Sequence, residues 1–334
     1  METTLLTVRD LRVEYRTDDA TVYAVNGVSF NVGKGESLGL IGETGAGKTS
    51  IALSIMRLLP DRIGVITGGK ILLDGTDITA AGESAMCDIR GEKVSMIFQD
   101  PMTSLNPVME VGDQIEEVLL LHRPEMTVEQ RRKKTDEILE MIGIPAERKH
   151  EYPHQFSGGM KQRIVIAIAL ACEPMLLLAD EPTTALDVTI QAQVLEMMNG
   201  LKEKLGTSIV LITHDFGVVA QTCDRVAVIY AGEVVEIGTA YDLFEGEDHH
   251  PYTQGLFGSI PNMNVDEERL HPIEGLMPDP TILAKGCSFA DRCPYAQEVC
   301  FREKPHCREK NGHRVFCRFS KYPEADREED VEYE

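Results

Sequence analysis

Long apolar runs are missing from this 334-residue chain. The best stretch, residues 164–172, has nine residues, about half of the roughly 18–20 that a bilayer crossing needs. No membrane span is expected. Basic residues are in deficit, with 33 Lys+Arg against 55 Asp+Glu and a net charge of −22. A nucleic-acid binder needs a cationic face to meet phosphates, so no nucleic-acid partner is expected. The opening METTLLTVRD lacks a basic region followed by a long apolar core, so no secretory signal is read and a cytosolic chain is expected. There is no internal repeat and no paired C-x-x-C.

What is present is ordinary globular material: 43% apolar and 26% charged residues, enough for one large domain or two of usual size. Residues 323–334 carry seven acids against Arg327 and read as a solvated acidic tail. Strand-like runs at 8–13, 37–41, 175–179, 208–212 and 226–230 alternate with helical patterns. One helix, over 127–143, opens with a capping box formed by Thr127 and Gln130. Another, over 188–205, repeats Ile190, Val194, Met197, Leu201 and Leu205 before Gly206. Such alternation means an α/β domain with a largely parallel sheet. After about residue 240 prolines and glycines multiply and periodicity fades. A separate small domain is expected there, too small to bury much core and in need of a staple.

Gly42-Glu43-Thr44-Gly45-Ala46-Gly47-Lys48-Thr49 fits G-x-x-x-x-G-K-[ST] between a strand and a helical run over 50–59 that begins at Ser50. Its N–H groups and the helix N-terminus would converge on phosphate oxygens. Lys48 would reach the β- and γ-phosphates, and the Thr49 hydroxyl would ligate Mg²⁺. Asp180 ends an apolar strand, where a Mg²⁺ partner belongs, and Glu181 follows as a base for water. Ser157-Gly158-Gly159-Met160 precedes the apolar helix, with Ser157 as its cap.

In order and spacing, these motifs resemble the ATP-binding subunits of ABC transporters. The resemblance implies an α/β P-loop NTPase: a cassette with a RecA-like core, a mixed sheet and a helical subdomain, and a small cysteine-rich C-terminal domain. It implies roles for four more residues. Gln99 would sense Mg²⁺ and contact the membrane partner, and Asp187 would lie at the dimer interface. His214 would act as the switch near the γ-phosphate, and Tyr15 would stack on adenine, with Tyr23 competing for that role. Bland alternatives remain for Asp187 as a helix cap and His214 as a turn residue. The nucleotide set thus comprises Tyr15, Gly42 to Ser50, Gln99, Asp180, Ser157, Gly158, Gly159 and Asp187. Thr49, Gln99 and Asp180 would hold Mg²⁺, and Glu181, His214 and Gln99 would be catalytic. Each ATP would lie between one subunit's phosphate loop and the other subunit's Ser157-Gly158-Gly159 face.

Phe98-Gln99-Asp100-Pro101-Met102-Thr103, His250-Pro251-Tyr252-Thr253 and Ser259-Ile260-Pro261 resemble dipeptide and oligopeptide importers. That implies a second homologous ATPase subunit, two transmembrane permease subunits, an extracytoplasmic substrate-binding protein, and a place on the cytoplasmic face of the membrane. Nickel or another small solute is the rival cargo, and a soluble ABC-type ATPase the rival class. The expected organisation is a cassette over 1–240, its helical subdomain at about 101–170, a transporter-type domain over 241–322, and the tail.

Five cysteines crowd the end: Cys287, Cys293, Cys300, Cys307 and Cys317. In a cytosolic chain this reads as a metal site, either zinc or an iron–sulfur cluster. The importer resemblance favours a [4Fe–4S] cluster on Cys287, Cys293, Cys300 and Cys317. Cys307 is the alternative fourth ligand and zinc the alternative metal.

Overall fold

A computed structural model describes residues 4–99, 104–184, 186–259 and 272–325. Asp100 to Thr103, Ala185, Ile260, Pro261 and most of the acidic tail lie outside the described residues.

Two sheets face each other. The smaller is antiparallel and built from β1 (Thr4–Arg16), β2 (Thr21–Gly33), β4 (Gly64–Leu73) and β5 (Thr76–Asp77), in the order β2-β1-β4-β5. The larger has the order β11-β12-β10-β9-β3-β8-β7-β6. Its centre is parallel: β3 (Ser37–Ile41), β6 (Val94–Ile97), β7 (Leu176–Asp180), β8 (Ser208–Ile212) and β9 (Arg225–Tyr230). β10 (Glu233–Thr239), β11 (Arg308–Lys310) and β12 (His313–Val315) add to it antiparallel.

The central strands are buried on both faces, which is why they read as unbroken apolar runs. Alternate residues feed two cores. Leu176, Leu178, Val210, Ile212, Ala227 and Ile229 pack toward the small sheet with Leu6, Val13 and Val32. Leu177, Ala179, Ile209, Leu211, Val226 and Val228 pack toward the helices.

Helix α1 (Lys48–Met56) follows the phosphate loop, and α2 (Glu83–Ile89) precedes β6. Then come α3 (Val111–His122), α4 (Val128–Met141), α5 (Gly158–Leu170) and α6 (Val188–Leu205). Among the described residues α7 (Phe216–Thr222), α8 (Ala240–Glu245) and α9 (Pro251–Gly258) follow. The Thr127–Gln130 capping box forms at the start of α4. Helix α1 ends at Met56 rather than running on to residue 59. Arg57 turns the chain with a left-handed φ of 54°, so the stop comes before Pro60.

The region beyond residue 240 does not stand apart as a separate, poorly buried unit. Strand β12 pairs with β10, and Phe316 N donates to Val235 O at 2.9 Å. Tyr252 and Phe289 are buried in the helix-side core beside Tyr230, with ring centroids 4.5–5.4 Å apart. Tyr252 and Phe289 supply apolar surface that a short, proline-broken stretch was expected to lack. A buried carboxylate fastens the join. Glu236 accepts from His249 Nδ1 at 2.7 Å, His313 Nε2 at 2.9 Å and the His250 backbone N–H at 2.8 Å. Burial pushes its pKa up, but these bonds outweigh it and hold the group at about 2.

Candidate nucleotide site and cysteine cluster

The phosphate loop joins β3 to α1, and two of its glycines are dictated by their surroundings. At Gly42 (φ 155°) a Cβ would strike the Ile229 carbonyl oxygen. At Gly47 (φ 102°) it would strike that of Ala24. Lys48 folds back over the loop, with Nζ donating to Gly42 O at 2.7 Å and Glu43 O at 2.9 Å. Burial lowers its pKa, against the pull of Glu181, Asp180 and Glu43.

Thr49 Oγ1 donates to Asp180 Oδ2 at 2.8 Å. Asp180 is 3% exposed, and burial pushes its pKa up. This all-oxygen pair at the end of β7, facing the same cavity as the Gln99 side chain, suits a hard dication such as Mg²⁺. Bound there, Mg²⁺ would neutralise phosphate charge.

Glu181 sits on a left-handed turn with φ 47°, a backbone strain of the kind found at functional sites. Its Oε2 accepts from Gln99 Nε2 at 3.1 Å and Thr184 Oγ1 at 2.9 Å. Its Oε1 lies 3.2 Å from His214 Nδ1. Burial pushes the pKa up, but Thr184, His214 and Gln99 more than offset it and keep the group an anion. A strained, ionised carboxylate between a glutamine and a histidine is equipped to take a proton from water.

Lys48, Thr49, Gln99, Asp180 and Glu181 line one cavity of about 440 Å³, whereas Gly42, Glu43, Ala46 and His214 are not among its lining residues. Tyr15 lines it, its hydroxyl 2.9 Å from Ser50 Oγ, and so does Tyr23. Ser157, Gly158, Gly159 and Asp187 are not among the lining residues. Ser157 caps α5 by accepting from Met160 N at 3.4 Å, and Asp187 caps α6 by accepting from Ile190 N at 3.0 Å. Gly158 has open space where a Cβ would be, whereas Gly159 is pressed against Ile190. The structure therefore splits the expected nucleotide set between two surfaces.

Sequence reasoning did not place Met277 to Pro280, Ile282 to Ala284 or Ser288 in this cavity. It also missed Arg292, which grips Glu43 of the phosphate loop at 2.7 and 3.1 Å. The Pro278-Asp279-Pro280 punctuation was the only local signal, and it marks a loop without saying where the loop goes.

The cysteine segment folds around a close backbone approach. A Cβ at Gly286 would strike the Cys300 carbonyl oxygen, and the next residue, Cys287, donates its N–H to that oxygen at 2.7 Å. Cys287, Cys293, Cys300 and Cys317 lie close enough to sense one another's charge. Burial pushes the Cys287, Cys293 and Cys317 thiols up, Cys287 to about 11, against a smaller lowering from the backbone N–H groups of Phe289, Tyr295 and Phe319. Cys307 faces its own neighbour's carbonyl, at 4.0 Å from Arg308 O.

Fold and site together define an ATP-binding cassette. The ABC transporter family profile matches residues 25–184, and the profile for the oligopeptide/dipeptide transporter C-terminal region matches residues 235–300. The chain is 51% identical to the dipeptide transport ATP-binding protein DppD of Bacillus subtilis over 303 residues, 90% of each chain. It is 46% identical to the oligopeptide transport ATP-binding protein OppD of Escherichia coli, over 90% of this chain and 89% of that one. Among solved structures it resembles the dimeric cassette MJ0796 in a post-hydrolysis state bound to ADP and Pi. That match has a TM-score of 0.63 and 28% identity, covering 70% of this chain and 98% of the other. It also resembles cbiO1 of Clostridium perfringens, part of the transporter complex cbiONQ, with a TM-score of 0.64 and 28% identity over 73% and 92%. The chain belongs to the ABC transporter ATP-binding subunits that carry the oligopeptide/dipeptide transporter C-terminal region, and it is an ATPase.

Proposed function

We propose that this subunit powers the import of di- or oligopeptides. The observation that carries the catalytic part is Glu181, held as an anion by Gln99, Thr184 and His214 beside the Thr49–Asp180 pair. The cargo rests on the peptide-transport relatives. No helix among the described residues is long and apolar enough to cross a membrane. The subunit then docks at the cytoplasmic face on two permease subunits, beside a second homologous ATPase, and an extracytoplasmic binding protein delivers the peptide.

In this reading Lys48 and the loop N–H groups hold the triphosphate, and Thr49, Asp180 and Gln99 would hold Mg²⁺, which would neutralise phosphate charge. Glu181 orients and deprotonates water, and His214 steadies Glu181 and the γ-phosphate. Ser157, Gly158 and Gly159 serve the partner subunit's nucleotide, consistent with their place away from this chain's cavity. Asp187 lies at that interface. The γ-phosphate thereby holds two subunits together, and its loss releases them.

The four-cysteine group is proposed to hold a [4Fe–4S] cluster. Cys287, Cys293, Cys300 and Cys317 feel one another's charge, and a soft thiolate set of this kind supports that reading, with Cys317 rather than Cys307 as fourth ligand. The cluster would supply a cross-link between 287–300 and the β12 end of the chain.

The test is the whole importer in proteoliposomes. A panel of dipeptides, presented with the binding protein, should stimulate ATP hydrolysis and accumulate inside. Stimulation by nickel and not by peptides would overturn the cargo assignment.

A further inference from the structure

One side of the nucleotide cavity belongs to the C-terminal region, more than two hundred residues from the phosphate loop. The same cavity that holds Lys48, Thr49 and Asp180 at one end is lined by Tyr15, Pro280, Ile282, Leu283 and Ser288 elsewhere. The wall is anchored to the N-terminal hairpin, since Tyr23 N donates to Pro280 O at 2.8 Å. Its turn is braced from within. Asp279 Oδ1 accepts from Thr281 N at 2.9 Å and Thr281 Oγ1 at 2.6 Å, and Ile282 N donates to Asp279 O at 3.1 Å.

Two features of this braced wall call for a ligand. Ile282 and Leu283 are 71% and 49% exposed although they line a cavity. Apolar surface displayed on a rigid turn gains by being covered. Ser288 is 7% exposed, and its hydroxyl has no hydrogen-bond partner among the described residues. A buried hydroxyl left unpaired costs free energy that a ligand atom would recover.

Phosphates at the Lys48 end direct the rest of a nucleotide toward Tyr15 and this wall. We propose that Ile282 and Leu283 form an apolar platform for the base, and that Ser288 hydrogen-bonds the base or ribose of the same nucleotide. The C-terminal region is then an affinity-determining part of the ATP site within one chain. This rests on the reading of the cavity as the ATP site. It also gives the segment next to Cys287 a direct hold on nucleotide.

The experiment uses the full chain with its metal retained and measures binding of Mg-ADP and of inorganic pyrophosphate by calorimetry. Replacing Ile282→Ser and Leu283→Ser together should weaken ADP about tenfold and leave pyrophosphate within twofold. The Ile282→Val/Leu283→Met pair should restore ADP binding. Ser288→Ala, which removes one atom, should weaken ADP several-fold with pyrophosphate unchanged, and it carries the test if the double serine variant misfolds. Unchanged ADP affinity, or equal loss of ADP and pyrophosphate, would overturn the proposal. Failure of the wild-type chain to bind ADP would instead overturn the site itself.

Discussion

Arg292 holds both carboxylate oxygens of Glu43, at 2.7 and 3.1 Å, so the residue beside Cys293 grips the phosphate loop from the far end of the chain. The guanidinium is 6% exposed and also meets the Tyr230 ring and hydroxyl. Glu43 is held a second way, because its backbone N–H donates to the Tyr252 hydroxyl at 2.9 Å. Arg292→Met should lower Mg-ATP affinity several-fold and cost about 1–3 kcal/mol of stability. Arg292→Lys should recover only part of both, since an ammonium cannot make the paired contact. Equilibrium binding and urea melts check this, and an unchanged affinity would mean the Tyr252 bond alone sets the loop.

Glu181→Gln keeps the shape of the turn and can still hydrogen-bond Thr184, but it cannot accept a proton. Turnover by the assembled complex should fall at least about 100-fold, with ATP binding retained. Near-normal hydrolysis would remove Glu181 from the role of base.

Tyr15 and Tyr23 both line the cavity, but their backbones have different tasks. Tyr23 N–H fastens Pro280, a bond that survives side-chain truncation. Tyr15→Ala should weaken ATP by an amount worth about 1–3 kcal/mol of lost stacking, while Tyr23→Ala should cost less. Tyr15→Phe, which loses only the Ser50 contact, should bind nearly normally. A larger loss from Tyr23→Ala would move the adenine to that ring.

Under the proposed cluster, metal content distinguishes the cysteines. Cys317→Ser should lose bound metal and Cys307→Ser should retain it, as read by iron, sulfide and zinc analysis of anaerobic preparations. Retention of metal in the Cys317 variant with loss in the Cys307 variant would reverse the ligand assignment. Stripping the metal with a chelator should also lower ATP affinity, because Arg292 sits next to Cys293.

His250 gives the stability a definite pH dependence. It is fully buried and neutral, accepts from Tyr252 N at 3.1 Å, and burial lowers its pKa to about 4. The unfolded chain takes up this proton below about 6.5, and the native chain does not until about 4. The contribution of His250 is therefore whole at pH 7 and is lost as the pH falls through that window. His249, whose pKa Glu236 raises, has the opposite sign: its contribution is whole below its unfolded value and fades as the pH rises. His250→Asn keeps a cap for α9 and does not titrate. The stability difference between wild type and this variant should shrink by up to about 1.4 kcal/mol per pH unit between 6.5 and 4. A difference that does not change with pH in urea melts would mean His250 is protonated in the native state.

The parts of the fold that were legible in the sequence are those set by local chemistry. Gly42 to Thr49 could be read because the loop's glycines and lysine are required where they stand. β7, β8 and β9 could be read because burial on both faces leaves an unbroken apolar run. β2 and β4 carry Asn and Gly and are partly exposed, so neither stood out. The Thr4–Arg16 strand was recognised only in its middle. The cavity wall at Ile282 and Leu283 was illegible for another reason. It reaches the site through long-range bonds, from Tyr23 to Pro280 and through Arg292 to Glu274 and Glu43, and no residue pattern encodes partners so far away. The spacing of the five cysteines does not say which of them lie together, because that depends on a backbone approach, Cys287 N to Cys300 O, that no local pattern encodes.

The pairing of β12 with β10 has a last consequence, for handling the protein. With the hairpin in place the sheet ends in β11, three residues long, which is too short to template another chain. Remove the hairpin, or release it by oxidising the cysteines near it, and the stretch of β10 that it covers, Val235 to Ile237, becomes an open border. A truncated cassette should therefore clump at concentrations where the intact chain stays dispersed, and old, air-exposed stocks should do the same.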